Sequence, residues 1–344
     1  MAIIRRRALS LSLAGGLAAC ARPQPKLLKG RSARFETAGL DKGFPALADR
    51  ARPGVFALGA MSLETTKTWY WNTDRAFPLA GAAALPIAAA ALSEVDAGRL
   101  SLGERVRLGP MELSPPPSLL NQKWPSPVAD HVLSAPVEAL IKLALCGDNT
   151  AQDVLMGRIG GPGAVTAWLQ QQGVTEMRID RYQRQLLSDQ CALPSFRPEW
   201  KDSAAFFAAR DQIGPPLREV ALNAYAADHR DTATAEGALD FLSKLANGEL
   251  ISQASVARLL AWMSAAGGGY LRRGLPKDVF VASASGTSPT DLGVTPAMSE
   301  LAIAAFPGGR RYALAAFLVA STGSAVDRDG LFRDAARLAD QAIG

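Results

Sequence analysis

Ala76-Phe77-Pro78-Leu79-Ala80-Gly81-Ala82-Ala83-Ala84-Leu85-Pro86-Ile87-Ala88-Ala89-Ala90-Ala91-Leu92-Ser93 is an uncharged run as long as a transmembrane segment. Pro78 and Pro86 interrupt it, and alanine transfers to lipid far less favourably than leucine. The run therefore predicts a helix over Ala82 to Val95 buried inside the protein. It also marks a change of period. Before it, Val55 to Met61 and Thr68 to Trp71 flank the polar Glu64-Thr65-Thr66-Lys67 and read as a β-hairpin. After it, helical spacing holds over Pro136 to Leu145, Asn149 to Ile159, Gly163 to Gln172 and Asp202 to Ala209. The Pro-rich stretch Ser114 to Pro127 is a long loop within this block.

Further out, Ala235 to Asn247 and Ser252 to Ala265 are helical. A period of two returns at Val279 to Ala284, Met298 to Phe306 and Tyr312 to Ala320, and Arg328 to Ala342 closes the chain as a helix. Strands from both ends must then share one sheet around an inserted helical block. The fold class is α+β: an antiparallel sheet flanked by helices (about 39–78 and 227–344) plus an all-helical lobe (about 79–226).

The first residues follow another logic. Arg5 to Arg7, the apolar Ala8 to Ala18 and small residues before Cys20 make a secretory signal over residues 1–19. Leu17-Ala18-Ala19-Cys20 resembles the bacterial lipobox, which implies lipid attachment at Cys20 and a membrane partner through that anchor, on the periplasmic side. The arginines leave the Sec and twin-arginine export routes both open. Residues 20–38, rich in basic residues, proline and glycine, read as a tether. The charge of +5 is modest, three of its arginines lie in the leader, and no reading motif follows, so nucleic acid is not an expected partner. Cys146 and Cys191 are free to pair or to stay apart in an oxidising compartment. His131 and His229, without a short Cys/His cluster, predict no metal site, and no cofactor is expected.

Several segments, taken together and in order, resemble the class A β-lactamase family over roughly residues 40 to 340. Phe77-Pro78-Leu79-Ala80 resembles the approach to that family's nucleophilic serine, and Gly147-Asp148-Asn149-Thr150-Ala151 its S-D-N-T-A segment. Gly160-Gly161-Pro162, Arg178-Ile179-Asp180-Arg181 at the opening of an omega loop, Arg230-Asp231-Thr232, Trp262-Met263, Gly274-Leu275-Pro276 and Ser285-Gly286-Thr287 follow in the family's order.

The resemblance also shows what is gone. The family's S-x-x-K turn, which sets an amine beside a serine hydroxyl, matches Gly81-Ala82-Ala83-Ala84. Glycine has no hydroxyl and alanine no amine. The proton-shuttling serine falls on Gly147, and the glutamate that activates water falls on Gln183, whose amide is no base near neutral pH. The asparagine holding that water matches Leu187, and the lysine of K-T-G matches Ala284. Asn149, Ser285, Gly286 and Thr287 remain as candidate cleft residues. Ser283, Ser285 and Ser288 lie near the expected cleft, with no lysine in that segment to serve as base. Loss of two lysines also weakens capture of a β-lactam carboxylate. The reading is an envelope lipoprotein whose old cleft holds a small-molecule or protein ligand. Two alternatives stand beside it: a hydrolase with non-standard residues, and a structural lipoprotein whose cleft is filled.

Overall fold

A computed structural model describes residues 35–125, 128, 131–267 and 269–343. The signal segment, Cys20 and most of the tether lie outside the described residues. The body begins earlier than the expected boundary at residue 39. Phe35 is buried against Tyr312, and the Glu36 N–H donates to the Ala342 carbonyl, so residues 35–38 belong to the sheet lobe.

Helix α1 (Ala38–Arg50) leads into β1 (Val55–Ser62), β2 (Thr68–Trp71) and the short β3 (Phe77–Pro78). The helical block runs through α2 (Ala84–Asp96), a two-stranded ribbon of β4 (Arg105–Leu108) and β5 (Leu133–Pro136), then α3 (Val137–Leu145), α4 (Asn149–Arg158) and α5 (Pro162–Gln171). It continues with α6 (Gln183–Gln190), α7 (Ser203–Asp211) and α8 (Pro215–Ala227). The chain returns through β6 (Thr232–Ala233), α9 (Ala235–Asn247) and α10 (Gln253–Ala265) to β7 (Phe280–Thr287), β8 (Thr295–Ala305), β9 (Arg311–Ser321) and α11 (Ala325–Ile343). The sequence missed α1, α6, α8 and the ribbon. Pro215 and Pro216 open α8, and proline is well tolerated in a helix's first turn.

The main sheet has the order β2-β1-β9-β8-β7, all antiparallel, so strands from the two chain ends share one sheet, as expected. Along β9, Ala313, Ala315, Phe317 and Val319 pack on the helical block, while Tyr312, Leu314, Ala316 and Leu318 pack beneath α1 and α11. Phe44, Phe56 and Phe332 stack on that second face, with ring centroids 5.3 to 5.4 Å apart. α2 is buried from Ala84 to Leu92, which explains its uncharged sequence. Among the described residues no helix is long and apolar enough to cross a membrane.

The neck of the omega-like segment is a buried ion network. The Arg181 guanidinium contacts Asp231 (2.6 Å), Asp189 (3.0 Å) and Asp228 (3.1 Å), and Asp231 also accepts the Asp180 and Arg181 N–H groups. The segment between Arg181 and Asp231 is far longer than a typical Ω-loop of roughly 6–16 residues. It holds α6, α7 and α8, with a core of its own formed by Leu186, Leu187, Cys191, Leu193, Phe206 and Tyr225.

Candidate functional site

Four pieces of backbone meet where the helical block faces β7. The first is a 3-10 turn, Ala80–Ala83, that leads into α2. Ala80 has φ +44°, a left-handed conformation that costs an alanine energy and is held by its surroundings. The residue after it, Gly81, abuts Gly286 backbone to backbone. A Cβ on Gly81 would lie 2.7 Å from the Gly286 Cα and 3.0 Å from the Ser285 carbonyl, and one on Gly286 would lie 2.3 Å from the Gly81 Cα. The sequence treated Gly81 as a lost hydroxyl. The fold adds that a side chain there has no room unless β7 or the turn moves.

The second piece is the turn before α4. Gly147 has φ +86° and open space around its would-be Cβ. Asp148 caps α4 by accepting the Ala151 N–H (2.9 Å), and it accepts the Ser118 hydroxyl and Leu120 N–H as well. Asn149 Nδ2 donates to the Pro115 carbonyl (3.0 Å), so its amide ties the Pro-rich loop to the cleft wall. That loop is pinned rather than loose: Asn121 Nδ2 donates to the Ser114 and Lys201 carbonyls.

The third piece is α6, set in place by Asp153. One Asp153 oxygen accepts the Gln183 N–H (2.5 Å). The other accepts the Ser114 hydroxyl (2.6 Å) and the Arg184 N–H (3.0 Å). Burial pushes the Asp153 carboxyl up, against these bonds and the nearby Arg184 charge. Occupied in this way, Asp153 positions Gln183 and is not turned to the cleft as a base. The fourth piece is β7 itself, carrying Ser285, Gly286 and Thr287, with the Thr287 hydroxyl 2.9 Å from that of Tyr270.

Between them lies a cleft of about 280 Å³. Gly81, Gly147, Asn149, Gln183, Leu187, Ser285, Gly286 and Thr287 all line it. Ala84 and Ala284 do not; both are buried. Ser288 lines the cleft, but Ser283 does not: its hydroxyl accepts the Gly269 N–H (3.0 Å) and bonds to buried Glu300. Burial pushes the Glu300 carboxyl up to about 7, against a bond from the Leu271 N–H. Sequence reasoning missed Leu186, Ser203 and Phe207, which reach the cleft from α6 and α7, and Gln152 from α4. The leucine pair in Gln183-Arg184-Gln185-Leu186-Leu187 was the available sign of α6.

No charged side chain lines this cleft among the described residues. A second hollow of about 290 Å³ adjoins it across Pro116, Pro117, Gly147 and Ser203, and reaches Cys146, Asp148, Lys201 and Asp202. Cys146 and Cys191 are both free thiols, the first exposed and the second buried, its pKa pushed up to about 12 by burial. His131 and His229 are exposed, and His131 packs its ring edgewise on Trp124. No group of three or more metal-ligating side chains occurs among the described residues.

A model of the beta-lactamase enzyme family matches residues 40–343. The chain belongs to that family. It is 25% identical over 302 residues to the extended-spectrum beta-lactamase PER-1 of Pseudomonas aeruginosa, covering 86% of this chain and 83% of the relative. Beta-lactamase VEB-1 of the same organism is 23% identical over 295 residues, 85% of each chain. Among solved structures, a beta-lactamase from Chitinophaga pinensis aligns with a TM-score of 0.71 at 24% identity, covering 88% of this chain and 99% of the other. The ancestral Gram-negative class A beta-lactamase GNCA4 aligns with a TM-score of 0.69 at 25% identity, covering 89% and 100%. The fold is that of a class A β-lactamase-like serine hydrolase.

Proposed function

We propose that this member of the β-lactamase family is an envelope lipoprotein that binds a ligand in the cleft without hydrolysing it. The observation that carries the reading is the contact of Gly81 with Gly286, which leaves no room for a nucleophile's side chain at the position where the family's serine falls. Its surroundings point the same way. Gln183 offers no base, Leu187 puts an apolar side chain at the cleft, and Ala84 and Ala284 supply no amine. Groups that act as a unit in catalysis are strongly non-additive, so several losses together are not mended by one return. The relatives are named as β-lactamases, but those names carry an activity that needs these groups.

The test is hydrolysis of a chromogenic cephalosporin together with covalent labelling by a fluorescent penicillin. Neither is expected from the wild-type chain, and inhibitor-sensitive turnover would overturn the reading. Attachment to a membrane rests on Leu17-Ala18-Ala19-Cys20. A palmitate analogue fed to cells should label the wild type and not Cys20→Ala; equal labelling of the two would remove the anchor.

A further inference from the structure

We propose that the cleft selects a small uncharged ligand bearing a carboxamide, and that the side-chain amide of Gln152 is the group that reads it. This deepens the binding role proposed above and rests on it. Gln152 is wholly buried and lines the cleft, and neither its Nε2 nor its Oε1 has a hydrogen-bond partner among the described residues. The neighbouring polar side chains of α4 are bonded. The Thr150 hydroxyl donates to Asn121 Oδ1 (2.7 Å) and accepts the Ser114 N–H (3.0 Å), and Asp153 holds both ends of its carboxylate as described. General looseness does not explain an orphan between them.

An unbonded buried polar group costs about 1–3 kcal/mol, and Gln152 has two in one side chain. A leucine would cost nothing of the kind beside Leu186 and Leu187. The amide presents a donor and an acceptor side by side, and the group that satisfies both at once is another amide. A charged ligand is disfavoured. With no cationic or anionic side chain on the walls, a carboxylate or ammonium would be desolvated without a partner, at several kcal/mol. Pro116, Pro117, Leu186, Leu187 and Phe207 offer apolar surface for the rest of the molecule. The volume of about 280 Å³ lies just below the range of about 300–1,000 Å³ usual for ligand sites, which limits the occupant to a small molecule.

The experiment uses the full chain in mild detergent and three probes of one skeleton: N-acetyl-L-alaninamide, uncharged; N-acetyl-L-alanine, a carboxylate; and L-alaninamide, an ammonium. Dissociation constants come from saturation-transfer NMR titrations. The uncharged amide is expected to bind at least about tenfold tighter than either charged probe, the worth of about one hydrogen bond. Gln152→Leu and Gln152→Met should each lose that margin while keeping or raising the melting temperature. Equal binding of the three probes, no binding of the uncharged amide, or undiminished binding by both variants would overturn the proposal. The wild-type comparison stands without the variants should either fail to fold. Cephalosporin turnover by the wild type would sink the non-hydrolytic reading separately, because the probe preference is measured without any reaction.

Discussion

Asp153 and Gln152 are adjacent on α4 and both fully buried, yet their surroundings differ. Asp153 accepts hydrogen bonds from the backbone of α6 and from Ser114, whereas Gln152, on the cleft side, has no partner for either amide atom. The contrast extends across the site. Around the cleft, buried charge is kept and bonded: Asp148 caps α4, Asp153 sets α6, and Arg181 ties the long omega-like segment shut on Asp231. Inside the cleft, no charged side chain among the described residues faces the space. Polar residues build the frame, and glycine, glutamine and leucine are among the residues that line the space.

Removing a frame residue breaks this contrast most severely. Asp153→Ala leaves the Gln183 and Arg184 N–H groups and the Arg184 guanidinium without their acceptor, and a loss of about 3–5 kcal/mol is expected in chemical denaturation. A loss below about 1 kcal/mol would mean that Asp153 does not hold α6.

The buried Glu300, on the far face of the sheet, gives a pH-dependent version of the same question. Its folded pKa of about 7 lies above the ordinary carboxylate value, so the folded state favours the protonated form. The stability it contributes is full below about pH 4.5 and is lost as pH rises through 7, in total about 3 kcal/mol. Glu300→Gln should remove that decline, so wild type and variant, compared by denaturation at pH 4.5 and pH 8, should diverge only at the higher pH. Parallel curves would count against it.

Smaller effects sharpen the picture inside the cleft. Gly81→Ser must push a Cβ into the Gly286 backbone, and about 1–3 kcal/mol of overpacking is expected with no gain of cephalosporin turnover. A variant as stable as wild type would show that β7 yields easily. Gly147→Ala meets no neighbour within 4 Å, and its only cost is the positive φ, about 1 kcal/mol. Differential scanning calorimetry of the two glycine variants should therefore rank Gly81→Ser as the more damaging; the reverse order would mean that the closed and open sides have been exchanged.

Much of the site was legible because its residues sit in short motifs with local geometry. Gly147-Asp148-Asn149 pairs a glycine suited to a turn with an aspartate suited to a helix cap, and Ser285-Gly286-Thr287 ends a strand whose period of two is written in its own residues. Leu186, Phe207 and Gln152 were not legible as cleft residues. Each belongs to an ordinary helical stretch, and only the packing of α4, α6 and α7 against the turn at Gly81 brings them to one space. Ser283 shows the converse error: it shares a strand face with Ser285, but lies two residues further along β7, where its hydroxyl is taken up by the Gly269 N–H and buried Glu300.

The sequence by itself determined five of the strands and eight of the helices, the sharing of one sheet by the two chain ends, and the absence of hydroxyl, amine and carboxylate at Gly81, Gly147, Ala84, Ala284 and Gln183. Side-chain chemistry and local period are properties of neighbours along the chain, and they survive without knowledge of the fold. Only the tertiary structure decided that Gly81 and Gly286 touch, that Ala84 and Ala284 are buried, and that Gln152 has no partner among the described residues. Those are facts about empty or occupied space between segments far apart in the chain, and close packing, not sequence pattern, sets them.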